Sequence, residues 1–163
     1  MARLKITTDK ALLRKTSKPV TDFGQSLHLL LDDMTETLEG VGGVGLAAIQ
    51  VGVLWRAAII QDNSGEYVEI INPTIVAQSR FADHEEMCLS LPKLCLVISR
   101  PTRVTLRAQD RFGNHFERKF RDLAAVCACH ECDHMDGILF PDRQDEKRAS
   151  EKRVGGGAKR GDE

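Results

Sequence analysis

The chain has 163 residues, 42% hydrophobic content and a formal net charge of −1 with a pI near 6.5. That is enough for one domain to bury its apolar surface without staples, and it speaks against nucleic acid or an anionic membrane as the main partner. No stretch approaches the roughly 20 apolar residues of a membrane span, and Met1 to Thr8 lacks the run of about seven apolar residues of a signal peptide. Five cysteines, an odd number with no export signal, predict a reducing cytoplasm in which thiols act as ligands, core fillers or catalytic groups.

In chain order, Ile6 to Asp9 predicts an extended entry and Lys10 to Leu13 a short helical turn closed off by Pro19. Asp22 is a candidate N-cap for a helix to about Leu38, with Phe23, Leu27, Leu30, Leu31, Met34 and Leu38 on one stripe. Gly40 to Gly45 ends that helix. The glycines do not make a nucleotide loop, because no Lys-Ser/Thr follows and the order helix-then-strand is the reverse of a dinucleotide fingerprint. Instead, Gly43 and Gly45 leave room for another backbone to approach, and Gln50 presents an amide at the end of the segment.

From Trp55 the pattern turns to strands. Ala57 to Gln61 and Tyr67 to Ile71 flank the turn Asp62-Asn63-Ser64-Gly65, and Asn72-Pro73 stops the second strand. Thr74 to Ser79, Leu94 to Ile98, Thr102 to Gln109 and Asn114 to Phe120 read as further strands, with Asp83 to Pro92 as a loop-like segment. Asp122 is placed to cap a helix from Leu123 to about Gly137, burying one side through Leu123, Ala124, Val126 and Cys127. The expected fold is α+β, with small antiparallel sheets packed around that C-terminal helix and an amphipathic helix near the N-terminus. One domain over 1–141 precedes a charged tail, Asp142 to Glu163, read as solvated or disordered.

The C-terminal helix contains HExxH. Residues four apart share a helix face, so His130 and His134 can offer two imidazoles to one divalent metal, while Glu131 lies about 100° round the helix. That is where a general base for water would sit; two solvated histidines with an acidic neighbour are the plainer alternative. A third ligand is not found downstream, because the third-His position of the metzincin pattern is Phe140 and no His follows His134. Upstream, Cys88 leads, lying between acidic residues and a Leu-Pro stop, and Cys95, Cys127, Cys129 and Cys132 compete. Of these, Cys129 and Cys132 point to other helix faces and Cys127 is better placed to pack.

Gly43-Val44-Gly45-Leu46-Ala47-Ala48-Ile49-Gln50, Glu86-Met87-Cys88-Leu89-Ser90 and His130-Glu131-Cys132-Asp133-His134 resemble the three ordered motifs of the peptide deformylase family. The resemblance runs from about Leu4 to Phe140, with two departures: Met87 where the family has Gly and Cys129 where it has Gln. It implies removal of the N-formyl group from the N-terminal methionine of new polypeptides, with Cys88, His130 and His134 on the metal and Glu131 moving protons. Gln50 and the Leu89 N–H would serve the reacting carbonyl. Val44 and Gly45 would pair with the peptide, Met87 would border its cleft, and Val44, Leu123, Val126 and Cys127 would line the methionine pocket. The resemblance implies ferrous iron, although Zn, Ni or Co also suits a thiolate with two imidazoles.

An Arg100–Asp133 ion pair beneath the helix is a further expectation. The expected partners are N-formylmethionyl peptides or nascent chains, with ribosome association and without direct nucleic-acid binding. Two other readings remain: a degenerate paralogue with weak or altered N-acyl substrate use, and a noncatalytic metal- or peptide-binding protein.

Overall fold

Asp9 accepts hydrogen bonds from the Ala11 and Leu12 N–H groups and so caps α1, Lys10–Leu13, whose Leu13 is buried. The computed structural model describes residues 2–144. Helix α2, Gln25–Val41, buries Leu27, Leu31, Met34, Thr37 and Leu38 along the expected stripe. Asp22 does not cap it: the cap position is Gly24, and Asp22 Oδ1 accepts the Gly24 N–H at 2.9 Å in a turn ahead of the helix. Gly42 ends the helix in left-handed backbone at φ 66°, where its N–H and that of Gly43 satisfy the carbonyls of Glu39 and Leu38.

Strands β1 (Gly45–Ala47), β2 (Ala57–Gln61), β3 (Tyr67–Cys88), β4 (Leu91–Gln109) and β5 (His115–Arg121) form one antiparallel sheet in the order β1-β2-β3-β4-β5, rather than several small sheets. A 3-10 turn, Ala48–Val51, joins β1 to the segment before β2 and carries Gln50. Asn72-Pro73 does not stop a strand. Asn72 takes φ 50°, the register shifts between Ile71 and Thr74, and β3 continues, so the irregularity absorbs a proline that has no N–H to give the ladder. The loop expected over Asp83 to Pro92 is paired strand as well: Asp83 faces Ser99, Glu86 faces Leu96 and Cys88 faces Leu91, leaving Leu89-Ser90 as a tight turn.

Strand β2 is apolar at successive positions because both of its faces are covered. Ala58 and Ile60 join the core around helix α3, Asp122–Met135, while Ala57 and Ile59 join the core under α2. Helix α3 departs from its expected start, since the cap position is Arg121 and no side chain caps the end; Asp122 follows in left-handed backbone at φ 50°. Its expected one-sided burial is also corrected. Every residue from Ala124 to Met135 is buried, whereas Leu123 is 63% exposed. Residues 140–144 are helical, and the boundary expected after Pro141 falls inside them. There Asp142 pairs with Arg14, and Arg143 Nη2 donates to Asp133 Oδ1 at 2.7 Å. Residues 145–163 of the expected tail lie outside the described residues.

Candidate metal centre and active site

The end of β3 and the middle of α3 meet in the core. Alternation along a strand turns Glu86 and Cys88 to the same inner face, and helical spacing turns His130 and His134 toward them. Cys88 Sγ lies 3.3 Å from His134 Nε2, and the two imidazole Nε2 atoms are 3.1 Å apart. All three donor atoms fall within 4.8 Å of one another and all three residues are buried.

Two observations test whether a metal fits. For tetrahedral zinc with N and S ligands, the donor–donor edges are about 3.4 Å for N–N and about 3.6 Å for N–S, close to the spacing here. The donor set has the chemistry as well. His130 Nδ1 is bonded to Glu86 Oε1, which commits that nitrogen and leaves Nε2 facing the cluster. Two imidazole nitrogens beside a sulfur repel unless a cation lies among them. Burial opposes charge on His130, yet its bonds to Cys88 and Glu86 raise its pKa to about 10, while burial and the His130 charge push His134 down to about 3. The other thiols lie apart from this cluster: Cys95 is exposed on β4, and Cys127, Cys129 and Cys132 are buried on α3 with burial pushing their pKa values up. Among the described residues, only Cys88 joins the two histidines.

Glu131 is fully enclosed. Burial raises its pKa to about 7, and its Oε2 is a buried oxygen with no partner among the described residues, free to take a proton. Gly45 explains how the carboxylate is held, for a Cβ there would sit 2.5 Å from Cys127 Sγ and 2.7 Å from Glu131 Oε1. The glycine admits helix α3 in the first place, a closer constraint than the expected room for a peptide. Gln50 is buried: its Oε1 accepts the Ala47 N–H at 2.9 Å, while Nε2 donates to Ser90 Oγ at 3.1 Å and lies 3.6 Å from Cys88 Sγ. Leu89, on the β3–β4 turn, stands next to the thiol.

The remaining expected residues are scattered in exposure. Val126 and Cys127 are buried, Val44 is 39% exposed, and Met87 is 72% exposed on the opposite strand face from Cys88. The Val44 carbonyl is already taken by the Gln61 N–H at 2.8 Å and the Cys127 thiol at 3.2 Å, so it is not open to a peptide. Leu123 belongs to the surface rather than to an enclosed pocket.

Sequence reasoning assigned no role to Glu86 or Ser90. Glu86 is the hub of a buried network: Arg100 donates to it at 2.8 and 3.0 Å and to Asp133 at 2.6 Å, and His130 completes it. Its own burial is outweighed by the bonds to His130 and Arg100, which hold its pKa at about 2. The signal was available in the two-residue spacing of Glu86 and Cys88, which marks one strand face once the segment is read as strand.

A buried donor set of one cysteine sulfur and two imidazoles, beside a carboxylate whose Oε2 has no partner among the described residues, on an antiparallel sheet wrapped round an HExxH helix, defines a mononuclear metallohydrolase. The family model of polypeptide deformylase matches residues 3–150, and the chain belongs to that family. A peptide deformylase of Caldicellulosiruptor bescii is 47% identical over 144 residues, covering 88% of this chain and 86% of the relative. The crystal structure of a peptide deformylase from Legionella pneumophila superposes with a TM-score of 0.82 at 38% identity, over 99% of this chain and 100% of that one. A class I type b peptide deformylase of Acinetobacter baumannii with Met-Ala-Ser bound gives a TM-score of 0.82 at 28% identity, over 88% and 100%.

Proposed function

We propose that this chain hydrolyses the N-formyl group from the N-terminal methionine of newly made polypeptides, using a divalent ion held by Cys88, His130 and His134. The observation that carries the reading is the convergence of those donors, His134 Nε2 lying 3.1 Å from His130 Nε2 and 3.3 Å from Cys88 Sγ and all three within 4.8 Å, with the Glu131 carboxylate buried close by. A divalent ion so held supplies Lewis-acid polarisation of a carbonyl and lowers the pKa of water from about 15.7 toward 7. Ferrous iron is the ion we assign.

The protein groups do the rest. Glu131 accepts a proton from the attacking water and passes it to the leaving amine, a transfer worth roughly 10²- to 10⁴-fold. The Gln50 Nε2 and the Leu89 N–H donate to the oxygen as it gains negative charge, about 3 kcal/mol per donor. Glu86 fixes the His130 ring, and Arg100 fixes Glu86.

The peptide lies along the free edge of β1. Because Val44 bonds inward to β2, alternation turns the N–H and C=O of the next residue, Gly45, toward that edge, where they pair with an extended chain regardless of its side chains. Val126 and Cys127 form the apolar floor for the methionine side chain, Val44 and Leu123 its rim, and Met87 borders the residues that follow. Such a substrate places the enzyme in the cytoplasm, next to emerging chains at the ribosome. Among the described residues, no helix is long and apolar enough to cross a membrane.

Protein purified anaerobically with iron should release formate from formyl-Met peptides, and Cys88→Ala should lose both the ion and the activity. Iron-loaded protein that binds such peptides without releasing formate would replace this reading with the noncatalytic one.

A further inference from the structure

We propose that the sheet face turned away from helix α3 carries a docking site for the phosphate backbone of RNA, centred on Arg103, Lys119 and Arg121. A cavity of about 310 Å³ opens there, across β3, β4 and β5. Register builds it in two rows: Ser79 faces Arg103, which faces Arg121, and beside them Thr105 faces Lys119. The neighbouring inward positions Val104 and Phe120 are buried, so alternation turns these side chains outward.

The charge is uncompensated. Arg103 and Arg121 stand directly opposite each other, an arrangement that costs a sheet stability, and neither they nor Lys119 has an ion-pair partner among the described residues. Two carboxylates of the neighbouring turn and strand are already paired, Asp62 with Arg118 and Glu117 with Arg107, and Asp122, which follows Arg121, forms no ion pair with these three cations. One wall is rigid, because Asn63 of the β2–β3 turn donates to the Arg121 carbonyl at 2.9 Å and accepts its N–H at 3.4 Å.

Arginine and lysine accompanied by hydroxyls and amides are the groups that bind phosphate oxygens. A single free phosphate would gain little on so open a surface, where each contact is screened by solvent and salt. Several phosphates on one chain gain from the release of their counterions. No exposed aromatic or Met lines the cavity, which leaves nothing to stack a base or to anchor an apolar protein surface, so the site reads backbone and not sequence. Such a site departs from the expectation of no direct nucleic-acid binding: the net charge of −1 still supplies no long-range attraction, so contact is local to these cations and secondary to the hydrolytic site.

The test is anisotropy of a fluorescently labelled RNA oligonucleotide titrated with full-length, iron-loaded protein at several salt concentrations. Arg103→Ala/Arg121→Ala should weaken binding at least tenfold at low salt and reduce the slope of log K against log salt by about 1.4, two contacts at about 0.7 each. Lys10→Ala/Lys15→Ala, an equal loss of charge elsewhere, should leave binding within twofold. Formate release from a short formyl peptide should be unchanged in both variants, which separates this site from the catalytic reading. Equal RNA binding by the two double variants would overturn the proposal. So would competition by polyglutamate as effective as by unlabelled RNA, which would reassign the face to an acidic protein.

Discussion

Glu131 and Met87 are the two residues whose behaviour separates chemistry from access. Glu131 touches no metal donor directly, so Glu131→Gln should keep the ion and lose at least about 10² in kcat, measured as metal content and formate release on one preparation. Its carboxylate must be ionised to accept a proton. Burial sets its pKa near 7 without metal, and a cation beside it favours the charged form. The acid limb of kcat/KM should therefore lie below about pH 7, with activity falling as pH drops through it; a limb above 7 would count against Glu131 as the base. Met87 stands where the family has glycine, yet its φ is not positive, so the backbone before Cys88 carries no strain for the substitution to relieve. Met87→Gly should leave metal content unchanged and alter kcat/KM for longer peptides more than for a formylated dipeptide. A uniform change accompanied by metal loss would show that Met87 acts through its neighbour's geometry.

At the scale of elements, the site is a contact between a strand end and a helix, and two residues control how they meet. Gly45 is the closest point of β1 to α3. Gly45→Ala forces a Cβ against Cys127 and Glu131 and should cost about 1 to 3 kcal/mol in unfolding free energy, while displacing the base and lowering kcat. Because the donors come from β3 and the other faces of α3, metal content should hold. Glu86 ties β3, β4 and α3 together through His130 and Arg100. Glu86→Gln keeps the shape but gives up the charge that orients the imidazole, and a loss of roughly 10- to 100-fold in metal affinity is expected in chelator competition. This network was half legible. The Arg100–Asp133 pair was expected and is present at 2.6 Å, whereas Glu86 went unassigned because its segment, with charges on successive residues and no apolar alternation, looks like a loop. A long two-stranded ribbon exposed on its outer face can carry such a sequence, since only its inner positions touch the core.

For the whole molecule, an ion held as proposed by Cys88, His130 and His134 would join elements far apart in the chain and so bind only the folded form. Stripping it should lower the melting temperature by roughly 5 to 10 °C for a site at about a hundredfold over its dissociation constant, reversed by adding the ion back. What the sequence by itself determined is whatever depends on short spacing: the His130/His134 pair with Glu131 between them, the α2 stripe, the hairpin turn at Asp62 to Gly65 and, through its three motifs, the family. The motifs also singled out Cys88 among the five cysteines, and the fold brings its sulfur to the two histidines. Only the tertiary structure decided that Gly45 exists to admit α3, that Val44 is committed to β2, and that Leu123 faces solvent. It also decided that one sheet runs straight through Asn72-Pro73. These outcomes depend on what packs against each segment from distant parts of the chain. A helix buried on every side, such as α3, has no polar face for periodicity to reveal.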